Sequence, residues 1–214
     1  WGIIKEFWNK KLLYEDFKVI PWCVRCGTGL SSHELAQGYK EVEDTAVVVK
    51  FKIKSQKNTY ILSWTTTPWT LPGNVALAVG SAIEYQIVKN KETREKYILA
   101  KKLVQSVLGA EYAIQSTVLG KDLVGLLFEP LFDVPQLESE NSYRIFSANF
   151  VAAEEGTGVV HTAVMYGEDD YMLGNSIGLQ KFHTVDENGR FIPDLKGIGG
   201  MYVKSKETEE KIIA

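Results

Sequence analysis

Two short stretches of this chain carry polar side chains in patterns suited to chemistry. The first is Trp64-Thr65-Thr66-Thr67-Pro68-Trp69-Thr70-Leu71-Pro72-Gly73-Asn74, a run of three hydroxyls ahead of a Pro-Gly turn. Pro68 disfavours helical backbone at Thr67 and holds it extended. Side-chain alternation then sends Thr65 and Thr67 to one face and Thr66 to the other. A hydroxyl both donates and accepts. Such a row can therefore hold a ribose, an adenine edge or a hydrolytic water without using charge. Asn74, delivered by the turn, can add an amide. Threonine also suits strands, so a plain strand running into a turn explains the same residues without any chemistry.

The second stretch is Gly156-Thr157-Gly158-Val159-Val160-His161, a glycine-flanked strand start ending on a histidine, followed by Gly167-Glu168-Asp169-Asp170-Tyr171. Acidic residues in a first helical turn complement the helix dipole and need no other role. A lone histidine is more often structural than catalytic. Yet one carboxylate beside a hydroxyl-lined pocket is what an aminoacyl ester requires. Its α-ammonium group pairs with the carboxylate through a charge-assisted hydrogen bond. That pairing fixes the carbonyl relative to a water, and such positioning can remove several kcal/mol of barrier.

Cys23 and Cys26 have the spacing of half a zinc knuckle, with His33 as a conceivable third ligand and no evident fourth. A pair of this kind reads as a half-site or as reduced thiols in a turn, and no bound zinc or other cofactor is expected in this chain. Two cysteines at this spacing make no disulfide framework, which favours a reducing, cytoplasmic setting. Apolar content of 45% and charged content of 24% are ordinary globular values. A formal net charge of -3 is wrong for a protein that tracks a long phosphate backbone. Any nucleic-acid contact is then short, or another domain supplies the affinity. No apolar run approaches the ~18 residues of a membrane span, and no signal peptide is visible. The chain opens at Trp1 without an initiator methionine, as a fragment of something larger does.

The elements that must position these groups are mostly short strands. Ile4, Trp8, Leu12 and Leu13 recur at helical spacing and predict an amphipathic helix from residue 1 to about 17, ended by Pro21. Cys23 to Gly27 predicts a tight knuckle. From Thr45 to Lys54, Val47, Val49, Phe51 and Ile53 alternate with Val48, Lys50, Lys52 and Lys54 as in a strand. Further strands are expected at 60–64, 75–79, 83–88, 112–119, 143–147 and 159–162. Leu99, Leu103 and Val107 beside Ala100, Val104 and Leu108 predict a helix closed by Gly109. A short helix is expected near Asp169 and a surface turn at Asp186 to Gly189. Many short strands with few helices predict an α+β fold, β-barrel-like with a few peripheral helices.

Together, in this order and at this distance, the two polar segments resemble the editing insertion of the isoleucyl, valyl and leucyl tRNA synthetases. WTTTPWTLPGN and GTGVVH…YGEDDY are similar to that family's two editing signatures, and the likeness covers nearly the whole chain. PWCVRCGTGLSSHELAQGYKEV also resembles the stretch leading from a synthetase body into the insertion. His161 after Gly-Thr-Gly-Val-Val points to the isoleucyl branch, since valyl enzymes tend to carry lysine there and leucyl enzymes methionine. Val24 stands where relatives often have proline, and Val164 where the pattern usually runs His-x-Ala-Pro. The HIGH and KMSKS motifs of a synthetase body are absent, so no amino-acid activation is expected.

What the resemblance implies is an editing site. One missing methylene is worth only ~1–3 kcal/mol of binding, the isoleucyl enzymes being the standard example of that figure, so a second, smaller pocket hydrolyses valine that slips through. By the matching motifs, Asp170 anchors the α-ammonium. Thr65, Thr66 and Thr67 hold the terminal adenosine and the water, and Asn74 supports them. His161 bounds the side-chain pocket, while Trp69 packs behind the threonine loop rather than touching substrate. The implied partners are the aminoacylated 3′ end of tRNA(Ile), ligands of the valyl-adenosine type and the rest of a synthetase in cis, with the chain a monomer and no membrane involved. A second Cys-x-x-Cys beyond the insertion makes zinc a possibility for the full-length enzyme. The implied division is residues 1–40 as lead-in, 41–204 as editing domain and 205–214 as exit segment. Three rival readings predict different behaviour: a metal-dependent hydrolase using His161, Asp169 and Asp170, a non-catalytic module docking the tRNA acceptor end, and a zinc-ribbon nucleic-acid binder.

Overall fold

Val47, Val49 and Phe51 turn inward and Val48, Lys50 and Lys52 outward, so the expected alternation is realised in the first long strand. The computed structural model describes residues 1–214. Its first half contains α1 (Gly2–Asn9), β1 (Trp22–Cys23), β2 (Thr28–Gly29), α2 (Ser32–Gln37), β3 (Val47–Lys52), β4 (Thr59–Thr65), β5 (Ala76–Val79), β6 (Glu84–Asn90) and β7 (Lys96–Ala100). Its second half contains α3 (Val104–Leu108), β8 (Tyr112–Leu119), β9 (Arg144–Ser147), β10 (Val159–Thr162), α4 (Glu168–Ile177) and α5 (Lys206–Ile213).

The strands make a five-stranded sheet in the order β3-β4-β7-β6-β8 and a three-stranded sheet in the order β10-β5-β9, with β1 and β2 forming a separate small ribbon. Only the β4–β7 and β5–β9 ladders are parallel. The architecture is mixed α+β, as expected. Both large sheets are open, so the hydrogen-bonded ladders do not close into a barrel. They meet where β4 runs beside β10. There Ser63 Oγ donates to the Val159 carbonyl at 2.9 Å, and Ala100 N donates to the Thr157 carbonyl at 2.8 Å.

Between the sheets lies a core that includes Phe51, Ile61, Leu77, Tyr85, Ile98, Phe128 and Ile145. Phe128 stacks edge-on against both Phe51 and Tyr143, at 5.3 and 6.0 Å between ring centroids. A second core gathers Val75, Val164, Leu179, Phe191, Leu195 and Val203 on the side of the smaller sheet that carries α4. The polar motifs sit where β10 and the end of β4 meet, with Thr65, His161 and Thr162 buried and Trp64 exposed.

Two expected helices are corrected. The N-terminal helix stops at Asn9 instead of reaching residue 17. Lys11 takes a left-handed φ of 56°, Lys11 N bonds the Trp8 carbonyl and Leu12 N bonds the Phe7 carbonyl. That pattern is a Schellman closure, which satisfies the last carbonyls well before Pro21. The helix expected from Leu99 is strand at its start: Ile98, Leu99 and Ala100 are wholly buried in β7 between β4 and β6. A strand buried on both faces reads as an unbroken apolar run and is confused with a buried helix. Only α3 remains of that helix, closed by Gly109 at a φ of 68°.

Candidate active site

β4 ends on Thr65, which is buried, and the chain turns at Thr67 into a 3-10 turn over Pro68–Gly73. Pro68 opens the turn, because its fixed φ suits a first helical position and it has no N–H to satisfy. Three hydroxyls then bond one another. Thr67 N donates to Thr65 Oγ1 at 3.1 Å, and Thr65 Oγ1 lies 3.2 Å from Thr67 Oγ1. Thr70 Oγ1 donates to the Thr67 carbonyl at 2.8 Å and lies 3.4 Å from Thr67 Oγ1. Thr65 and Thr67 share a face as alternation requires, and Thr66 is the exposed member of the row.

β10 brings His161 to this cluster, its Nε2 3.0 Å from Thr70 Oγ1. Burial pushes the imidazole down to about 4, so the ring is neutral near pH 7. Thr70 has one hydroxyl proton, and the Thr67 carbonyl receives it. His161 Nε2–H is therefore the donor toward Thr70, which leaves Nδ1 as a bare acceptor. Nδ1 is buried and has no partner within the protein.

The acidic side comes from α4. Asp170 lies in its first turn, and Oδ2 accepts from Ala163 N at 3.3 Å. Burial pushes its carboxyl up to about 6, the Ala163 amide opposes that shift, and the charge of Asp169 adds to it. Val164 is buried directly under the helix. A Cβ at Gly174 would come within 2.7 Å of Val164 Cγ2, so glycine lets α4 approach closely enough to present Asp170.

Thr65, Thr66, Thr67, His161 and Asp170 all line one cleft of about 310 Å³. The structure thus brings together five of the residues singled out by sequence. It sets two apart from the lining. Asn74 is buried and donates Nδ2 to the Ala76 carbonyl at 2.9 Å, so its amide fixes the entry to β5. Trp69 packs edge-on against Tyr166 at 5.2 Å, behind the cleft wall. Sequence reasoning missed Thr70, Trp64, Tyr166 and Glu155, which also line the cleft. Thr70 had a signal, since it stands three residues after Thr67 in a turn where their side chains meet. The others have none short of the fold. Tyr166 is held by its hydroxyl, which accepts from Thr184 N at 2.8 Å and Val185 N at 2.9 Å. From the core behind the cleft, Tyr85 Oη donates to the carbonyl of the lining residue Gly158 at 2.6 Å and steadies the glycine stretch.

The cysteine pair forms a turn in which Cys26 N donates to Cys23 Sγ at 3.4 Å. That bond holds the Cys23 thiol below its usual range. His33 does not join the pair as a third ligand, nor do His161, Asp169 and Asp170 converge as a metal-binding group.

No protein-family model matches the chain. Over 211 residues it is 48% identical to isoleucine–tRNA ligase of Clostridium tetani (strain Massachusetts / E88), covering 98% of this chain and 20% of that protein. Isoleucine–tRNA ligase of Clostridium novyi (strain NT) is 45% identical over 207 residues, 97% of this chain and again 20% of the relative. This chain matches a segment of isoleucine–tRNA ligase. It spans about a fifth of the length of those ligases. In fold it is similar to a solved leucyl-tRNA synthetase structure, GlLeuRS-CP1, with a TM-score of 0.51 and 18% identity over 62% of this chain and 60% of that one.

Proposed function

We propose that this segment of isoleucine–tRNA ligase is an editing hydrolase that cleaves the ester of valine mischarged onto tRNA(Ile). The observation that carries the reading is the shared cleft, which Asp170, Thr65, Thr66, Thr67 and a neutral His161 line together. At about 310 Å³ the cleft is at the small end of ligand pockets, which run to ~300–1,000 Å³. That size suits a single aminoacyl-adenosine end rather than a length of RNA.

In this reading Asp170 pairs with the α-ammonium of the valyl group and aims its carbonyl toward the hydroxyl row. The threonine hydroxyls hold the terminal ribose and a water. The water oxygen adds to the ester carbonyl and the carbon–oxygen bond to the ribose breaks. The ribose oxygen leaves as a hydroxyl, taking up the proton released by the water, and the substrate's neighbouring ribose hydroxyl relays it. His161 is buried and neutral, which fits a wall that limits side-chain size better than a proton carrier at pH 7. With a net charge of -3, the segment depends on the rest of the ligase in cis for its hold on tRNA. No helix is long and apolar enough to cross a membrane, and the site proposed for the protein is the cytoplasm.

The test is deacylation of Val-tRNA(Ile) and Ile-tRNA(Ile) by the protein and its His161→Ala variant, each with and without EDTA. The expected result is cleavage of the valyl ester only, unaffected by chelator, and relaxed rejection of the isoleucyl ester in the variant. Binding without turnover would instead support the acceptor-end docking module. Activity lost with EDTA would support metal-dependent hydrolysis.

A further inference from the structure

Asp170 is presented by a helix end that lacks a side-chain cap and rests on the Ala163 amide. The first turn of α4 has no side-chain cap, its N-cap being Gly167. It carries Glu168, Asp169 and Asp170 together, which the helix dipole favours, while the charge of Asp169 works against that of Asp170. A helix terminus without a cap frays unless a tertiary contact holds it.

That contact is visible one residue further on. Tyr171 Oη donates to Asp16 Oδ1 at 2.8 Å, bridging 155 residues of sequence. Lys181 Nζ donates to the same Asp16 oxygen at 3.2 Å and to Tyr171 Oη at 2.9 Å, which closes a three-membered network. Lys181 also lies over the Tyr171 ring, 4.7 Å from its centroid, and over the Phe17 ring at 5.7 Å. A second arm leaves the same pair of lead-in residues. Phe17 meets His183 edge-on at 6.0 Å, and His183 meets the cleft-lining Tyr166 at 6.3 Å. Residues 16 and 17 thus reach both Tyr166 and the residue next to Asp170.

We propose that Asp16, Tyr171 and Lys181 form a clamp by which the lead-in segment sets the position of Asp170 in the cleft, with Tyr171 as a positioning residue. The inference rests on the proposed role of Asp170. The clamp touches no substrate. It acts by holding the first turn of α4 against the Ala163 amide. Misplacing a reacting group by an ångström can cost ~10²-fold in rate. Because residues 16 and 17 belong to the segment ahead of β1, strain on that segment from elsewhere in the ligase is transmitted to the carboxylate.

The experiment reads the Asp170 carboxyl by carbon-detected NMR titration in the ligand-free protein, alongside KM and kcat for Val-tRNA(Ile). The groups facing Asp170 are Asp169 on its own helix, the Ala163 amide, and His161 and Glu155 in the same cleft. Tyr171→Phe removes the Asp16 bond and retains the ring. Asp16→Asn, at an exposed position, is the second variant should Tyr171→Phe fold poorly. Both are expected to release Asp170 toward its ordinary titration midpoint and to raise KM about tenfold. Lys52→Met, which breaks a surface pair with Glu129 far from the cleft, leaves both readouts unchanged. A midpoint and KM equal to wild type in Tyr171→Phe and Asp16→Asn would overturn the clamp. The titration needs no substrate, so it decides the clamp even if the protein hydrolyses no ester.

Discussion

The two walls of the cleft are built on different principles. The hydroxyl wall is local: apart from the bond to His161, every hydrogen bond among Thr65, Thr67 and Thr70 spans two or three residues. It assembles wherever β4 runs into its 3-10 turn. The acidic wall is remote, with Asp170 at the end of an uncapped helix and resting on Ala163, while its neighbour Tyr171 is tied to Asp16. The first wall forms with the chain's own turn chemistry, whereas the second is a property of the finished fold. Damage to the hydroxyl wall should therefore be graded, because several groups share the load. Damage to the acidic wall should be abrupt, because a single carboxylate carries it.

The largest expected effect follows directly. Asp170→Ala removes the only cleft group proposed to pair with the α-ammonium, and hydrolysis of Val-tRNA(Ile) should fall by ~10²-fold or more. The fold should not suffer, since burial already disfavours the Asp170 charge. Steady-state deacylation and a thermal melt at pH 8 check both halves. Near wild-type turnover in this variant would erase the contrast between the walls.

A pH profile sharpens the same contrast. The Asp170 carboxyl lies at about 6 in the folded protein, above its ordinary 3.8. Between those values the folded state binds more protons than the unfolded one, so this group's contribution to stability is full below about pH 4 and is lost as pH rises toward 6. Function runs the other way, because only the carboxylate pairs with an ammonium group. Apparent affinity for the valyl ester should weaken about tenfold per pH unit below about 6, and Asp170→Asn should flatten the profile. His161, held at about 4 by burial, contributes no further step near neutrality. A step that persists in Asp170→Asn would assign the titration to another group.

The same division decides what was legible in the sequence. Thr65 and Thr67 were readable because proline geometry and strand alternation are local rules, and the structure puts both hydroxyls on one face as those rules require. β8 and β10 were placed correctly because β-branched residues gather there, each strand beginning soon after a glycine, Gly109 and Gly158. β7 was misread because Leu99 and Ala100 are buried on both faces, where the period of two disappears. The early end of α1 was missed because it depends on Lys11 entering left-handed backbone, which lysine does not advertise. Asn74 was drawn into the site by its position in the motif, yet its amide bonds the Ala76 carbonyl and works on the fold. Tyr166 and Glu155 join the cleft through contacts that no sequence spacing reveals.

The smallest expected effect belongs to the hydroxyl wall. Thr70→Val keeps the shape and removes one oxygen, which donates to the Thr67 carbonyl and accepts from His161 Nε2. The Thr67 carbonyl keeps its bond from Thr70 N at 2.9 Å, whereas His161 Nε2 is left in a buried setting without a partner, a loss of ~1–3 kcal/mol in stability. His161 also loses the bond that fixes its tautomer, so the side-chain wall loosens. Turnover of the valyl ester should fall only about threefold to tenfold, because Thr65, Thr66 and Thr67 still line the cleft. Rejection of Ile-tRNA(Ile) should relax by a similar factor. Urea denaturation and paired deacylation rates measure both. A loss as deep as that of Asp170→Ala would mean that the hydroxyl network acts as a unit, as tightly as the acidic wall depends on its one carboxylate.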